Sequence, residues 1–230
     1  MARTREVAGG GRAVEVEPER LEGWFARFAE RHGGLATVER TPDRLLFQAT
    51  DGASVEIAVP FGGLPTEHDV PNGVAANDAV LDALLAHLAV PRRVGIVLVR
   101  LGGHSVGVAV GGVVEVSSTG ARPVHGRNRK GGSSSGRFAR RRDNQARVAL
   151  DAAADTVARV LLPVADTLDA VVLGGDTAAL DDLRADRRLA ALLARAEPRV
   201  LDVPEPRRAV LDDAARRAWA VEVVVRDPAP

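Results

Sequence analysis

The sequence predicts an α/β fold: a mixed sheet with packed helices over residues 92–227, preceded by a small α+β part over residues 1–91. Three observations carry this. Three β-rich runs, 94–101, 104–110 and 113–118, are joined by Gly102-Gly103 and Gly111-Gly112, the signature of an antiparallel meander. Helical and strand-like stretches then alternate to the end of the chain, which calls for a mixed sheet covered by helices. Finally, residues 60–73 hold Pro60, Gly62, Gly63, Pro65, Pro71 and Gly73, a long loop or linker that sets off what precedes it.

In the N-terminal part, Glu17, Pro18 and Glu19 open a helix whose Leu21, Trp24, Phe25 and Phe28 follow the i, i+3, i+4, i+7 spacing of one buried face. It should stop at Gly33-Gly34. Strands follow at 35–39, 45–50 and 54–59, with Asp51-Gly52 as a hairpin turn. Trp24 reads as core. A short helix from Asn77 to about Leu88 is closed by Pro91.

After the meander, a helix starting near Gly136 runs to about Leu162, with Ala146, Ala149, Ala153, Val157 and Val160 recurring at threes and fours until Pro163 stops it. Then come a strand at 170–173, a helix from about Ala178, a short strand at 200–203, a helix over 206–218 and a last strand at 221–225, assigned to the second domain with the rest.

At 46% hydrophobic and 27% charged, the 230-residue chain is globular in composition. Without cysteine it has no disulfides, thiolate zinc sites or cysteine nucleophiles. The first residues lack the apolar stretch of a signal peptide, and no run approaches the roughly 18 apolar residues that span a bilayer. A soluble, cytoplasmic protein without membrane contact is expected, and a monomer. The 31 Lys+Arg balance 31 Asp+Glu, but unevenly. Residues 122–147 hold nine basic residues against Asp143 alone, a net +8, so the other 204 residues carry −8. This asymmetry points to a polyanionic partner.

Several motifs imitate chemistry. Gly103, His104, Ser105, Val106 and Gly107 spell G-x-S-x-G, a nucleophile elbow, which would make Ser105 the nucleophile of a serine hydrolase. Strand-like residues follow where a helix is required, and no well-separated histidine completes a triad. Gly131 to Phe138 nearly match a phosphate-binding loop, but Arg137 and Phe138 stand where lysine and a magnesium-binding hydroxyl belong. Gly174-Gly175-Asp176 reads as a turn into a helix cap. The five histidines show no ligand spacing, so no metal and no cofactor is expected.

The basic loop within residues 119–136 remains. Arg127, Arg129 and Lys130 precede Gly131, Gly132, Ser133, Ser134 and Ser135, and Arg137, Arg140, Arg141 and Arg142 occupy the first turns of the next helix. Cations there oppose the helix dipole, a penalty that a bound phosphate reverses. Glycines at 131 and 132 let backbone approach a reacting group closely. The alternative is a solvated basic loop.

Residues 127–146, with Leu173-Gly174-Gly175-Asp176 and Asp202-Val203-Pro204-Glu205-Pro206-Arg207-Arg208, resemble the actinobacterial VMS-like release factors, relatives of the catalytic middle domain of eukaryotic and archaeal peptide release factors. The resemblance runs from about Arg93 to Val225. It implies an RNase H-like domain and hydrolysis of peptidyl-tRNA on the large ribosomal subunit, with rRNA as partner. Gly131 and Gly132 match the family's catalytic glycine pair, and Arg137, Phe138, Arg140, Arg141 and Arg142 its basic helix. Where the family carries a catalytic glutamine, this chain has Ser134, Ser135 and Gly136; Gln145 lies too far along the helix to replace it. If a backbone N–H is the essential donor, Ser134 or Ser135 can supply it and hydrolysis survives. If the glutamine side chain is essential, the chain binds ribosomes without releasing peptide.

Overall fold

The computed structural model describes residues 4–8, 10–64, 74–100, 102–121 and 135–228, with backbone alone over 74–76 and 135–143. The chain is α+β, with two sheets, six α-helices and two compact units among the described residues: Met1–Pro91 with Trp219–Pro230, and Arg92–Ala218.

The first unit contains strands β1 (Thr4–Glu6), β2 (Arg12–Val16), β3 (Leu35–Arg40), β4 (Arg44–Ala49), β5 (Ser54–Ala58) and β11 (Val221–Arg226), in the order β1-β2-β11-β5-β4-β3. Helices α1 (Pro18–Arg31) and α2 (Val74–Ala89) belong to the same unit. Leu21, Phe25 and Phe28 of α1 and Val80, Leu84 and Leu88 of α2 share one core with Leu45, Phe47, Val55 and Ile57. The α1 periodicity and the Asp51-Gly52 turn appear where the sequence puts them, Gly52 having φ 93°. Trp24 is half-buried at the core's margin. Residues 65–73 lie outside the described residues, and α2 starts three residues before Asn77.

The last strand corrects the sequence reading, which assigned it to the second domain. β11 runs antiparallel between β2 (Val223 opposite Val14) and β5 (Val225 opposite Val55). Val221, Val223 and Val225 are buried while Glu222, Val224 and Arg226 alternate with them, and the two charges pair across strands, Arg226 with Glu56 and Glu222 with Arg5, both at 2.8 Å. Alternation dictates a strand with one covered face and is silent on which sheet receives it. β1 and β2 are strands beyond those expected from the sequence.

The second unit holds β6 (Arg93–Arg100), β7 (Gly103–Val110), β8 (Val113–Ala121), β9 (Ala170–Gly175) and β10 (Ala196–Leu201), in the order β10-β9-β6-β7-β8. β6, β7 and β8 form the expected meander, and β9 and β10 add in parallel. Helix α3 (Ser135–Leu161) is followed by a 3-10 turn (Leu162–Thr167), α4 (Thr177–Ala185), α5 (Ala190–Leu193) and α6 (Arg208–Trp219). The strand read at 200–203 lies earlier, and α6 begins after Pro206 rather than at it.

β6 is buried along its whole interior, as a strand covered on both faces must be. Val97, Val99, Val106 and Val108 pack with Ala153, Val157 and Leu161 of α3 and Leu180 and Leu183 of α4. On the opposite face, a Cβ on Gly107 would stand 2.9 Å from Leu211 of α6. Asp176 caps α4, accepting a 3.0 Å hydrogen bond from the Ala178 N–H, so Gly174-Gly175-Asp176 is the turn and cap expected.

Candidate functional site

In the sequence, the stretch that concentrates positive charge spans the connection from β8 to α3 and the first turns of that helix. β8 extends through Thr119 and Gly120 to Ala121, so these residues are strand and not loop. The chain is described again from Ser135, the first residue of α3. Arg127, Arg129, Lys130, Gly131, Gly132, Ser133 and Ser134 lie outside the described residues, as does the near-match to a phosphate-binding loop. Ser135, Arg137, Arg140, Arg141 and Arg142 lie on the backbone of α3.

Between the end of β8 and the middle of α3, a cleft of about 440 Å³ opens. Its sheet wall is His104 of β7 with Gly120 and Ala121 of β8; its helix wall includes Asn144, Gln145, Val148 and Thr156 of α3. Arg137, Arg140 and Arg141 precede Asn144 by seven, four and three residues, the spacings of one helix face.

The base of the cleft is built by local rules. His104 is an even-numbered member of β7, on the same face as Val106 and Val108, and is buried at 5% exposure beneath α3. Thr156 donates its hydroxyl proton to the Ala152 carbonyl one turn back, at 2.9 Å. That hydroxyl has one proton, so in its 3.0 Å contact with His104 Nε2 it accepts, and the ring carries hydrogen on Nε2. The ring lies directly against β8: a Cβ on Gly120 would stand 2.7 Å from its Cε1 and Nε2. A side chain at 120 would therefore displace the ring. Half-buried Gln145 lines the same cleft, while exposed Asn144 accepts from Arg147 at 3.1 Å. The arrangement places a buried, hydrogen-bonded histidine and a half-buried side-chain amide on the walls of one cleft.

The stem of α3 is fixed by charge. Arg188 donates to Asp155 of α3 and to Asp186, both at 2.7 Å. The Arg188 side-chain and backbone hydrogen bonds hold the Asp186 carboxyl below the usual carboxylate range, and these carboxylates raise the Arg188 guanidinium above its ordinary value.

Ser105 is not an activated nucleophile. It lies inside β7, opposite Leu98 and Thr119, fully buried, with Oγ 2.7 Å from Thr119 Oγ1. No turn exposes it, which removes the elbow. Among the described residues, no group of three His, Asp or Glu side chains could hold a metal ion, and no helix is long and apolar enough to cross a membrane. Sequence reasoning overlooked the roles of His104, Gly120, Gln145 and Thr156. His104 and Thr156 are 52 residues apart, and no spacing rule joins them.

Comparison with known proteins bears on this unit. The family described as the Actinobacteria/chloroflexi VLRF1 release factors matches residues 92–224. No curated protein matches the chain. Among solved structures, it is similar to the archaeal translation termination factor aRF1 at 11% identity and a TM-score of 0.40, over 90% of this chain. The chain spans 66% of that protein's length. The family match begins at the residue before β6 and ends within β11, and so takes in the cleft, the basic stretch and the sheet that supports both.

Proposed function

The chain belongs to the Actinobacteria/chloroflexi VLRF1 release factor family, and from that premise we propose that it is a peptidyl-tRNA hydrolase, cleaving the ester between nascent peptide and tRNA on stalled large ribosomal subunits in the cytoplasm. The observation that supports the reading is the family match over residues 92–224, which takes in the whole +8 stretch of residues 122–147.

In this proposal Arg127, Arg129, Lys130, Arg137, Arg140, Arg141 and Arg142 neutralise rRNA and tRNA phosphates and set the depth of insertion. Gly131 and Gly132, without side chains, bring backbone to the ester. A backbone N–H within residues 133–135 donates to the oxyanion, and the hydroxyl of Ser134 or Ser135 holds the attacking water. That water bonds to the ester carbonyl carbon, the bond from carbon to the ribose oxygen breaks, and the water's proton passes to that oxygen, freeing peptide and tRNA. No cofactor takes part, and the protein acts as a monomer.

A second reading rests on one observation. Ser134, Ser135 and Gly136 occupy the place of the catalytic glutamine that the resemblance implies. In that case the chain binds the ribosome and blocks or marks the stalled peptide without releasing it. Release of a labelled nascent chain from purified large-subunit peptidyl-tRNA complexes separates the two. The wild type should release peptide well above the buffer control, and Gly132→Ala should lower the rate by about 100-fold, the loss typical of a misplaced oxyanion donor. No release by the wild type rejects the enzyme; release unaffected by Gly132→Ala rejects this loop as its active element.

A further inference from the structure

Residues 1–91 of the first unit lie outside the family match, and the unit carries a groove of its own, of about 200 Å³, between α1 and the strands β2 and β11. Trp24, Arg27, Phe28 and Arg31 form its helix wall. Their spacing, i, i+3, i+4, i+7, brings two aromatics and two cations onto one face. Arg12 and Val14 of β2 stand opposite. Trp24 is half-buried, stacks on buried Phe28 at a centroid distance of 5.7 Å and an interplanar angle of 6°, and meets Phe25 edge-on at 5.3 Å, so the indole is held in one orientation at the groove wall. Arg27 and Arg31 are both exposed, and neither makes a hydrogen bond or ion pair with a described residue. Arg12 has only a loose pairing with Asp227 at 3.7 Å, both side chains more than half exposed.

Like charges four residues apart on a helix destabilise it by a few tenths of a kcal/mol, and Glu30, which stands between them in the sequence, forms no ion pair with either arginine. A groove that combines unpaired guanidinium groups with a half-buried, oriented indole matches a ligand with phosphates along its edge and a planar base to stack. We propose that this groove binds single-stranded RNA, one base against Trp24 and its flanking phosphates on Arg12, Arg27 and Arg31, as a second RNA contact separate from the basic stretch of the other unit. The volume accommodates one base, not a duplex. The inference does not depend on hydrolysis: it holds for an enzyme and for a non-catalytic ribosome binder alike.

Trp24 emission reports the groove directly once Trp219, the second tryptophan, is replaced by phenylalanine. In the full-length Trp219→Phe protein, a short oligouridylate should quench Trp24 emission in a saturable way, and polyphosphate of equal charge should not. Arg27→Gln with Arg31→Gln, both at exposed positions that leave folding intact, should weaken the oligouridylate affinity about tenfold. The double change should also flatten the slope of log affinity against log salt by about 1.4, or 0.7 for each lost phosphate contact. Arg140→Gln, Arg141→Gln and Arg142→Gln together should leave the quench in place, which separates this groove from the basic helix. The proposal is overturned if the Arg27/Arg31 variant retains the wild-type quench and salt slope, meaning that the arginine stems merely cover apolar surface. Equal quenching by polyphosphate overturns base stacking.

Discussion

Gly120 sets the geometry of the cleft through what it lacks. Its missing Cβ leaves room for the His104 ring, whose Nε2–H is fixed by the single proton of Thr156. An alanine there meets ring atoms at 2.7 Å, closer than real Cβ contacts occur, so the ring must shift and disturb its 3.0 Å hydrogen bond to Thr156 of α3. Gly120→Ala should therefore cost about 1–3 kcal/mol, the usual range for overpacking a full site. Urea denaturation gives the loss, and a histidine NMR spectrum showing an unmoved His104 resonance would contradict the argument. None of this was readable in the chain, where Gly120 looked like loop and His104 like part of a false elbow. Local pattern gives a residue's face; it does not give the partner on a distant helix.

The elements were legible to different degrees, for physical reasons. The three strands of the meander and the 27-residue α3 carry strong periodicity and glycine or proline stops, and they appear close to their expected bounds. β1 is a three-residue exposed strand, Thr-Arg-Glu, without an apolar residue, and nothing local distinguishes it from coil. The helix α3 is where pattern and charge coincide: Arg137, Arg140, Arg141 and Arg142 crowd its positive end, where cations oppose the dipole. Their cost to the free helix is offset when phosphates bind. Replacing Arg140, Arg141 and Arg142 with glutamine should weaken ribosome binding and lower its salt slope by about 2–3, near 0.9 per contact. The same change should leave the midpoint of thermal unfolding unchanged or raised. Sedimentation with large subunits across a salt series measures the first effect. Unchanged binding would mean that these arginines face solvent in the complex.

At the scale of the molecule, the chain order and the spatial order disagree, and the disagreement has a consequence for folding. The first unit is discontinuous: residues 92–218 intervene before β11 arrives to occupy a central place between β2 and β5. Without β11, both neighbouring strands present open backbone edges, and the core loses buried Val221, Val223 and Val225. Each buried valine contributes roughly 1.5–3 kcal/mol. Together they approach the whole stability of a small domain, about 5–15 kcal/mol. A fragment of residues 1–91 should accordingly fail to fold, with a collapsed amide spectrum and a tendency to associate through its edges. The same fragment joined through a Gly/Ser linker to residues 219–228 should give a dispersed spectrum and a cooperative denaturation curve, because the linker restores the antiparallel register of Val223 with Val14 and Val225 with Val55. A dispersed spectrum from residues 1–91 alone would show that the sheet closes without its last strand. During synthesis this topology makes the first unit wait for the second to be completed, so a chain truncated before residue 221 would carry a folded basic unit on an unfolded N-terminal segment.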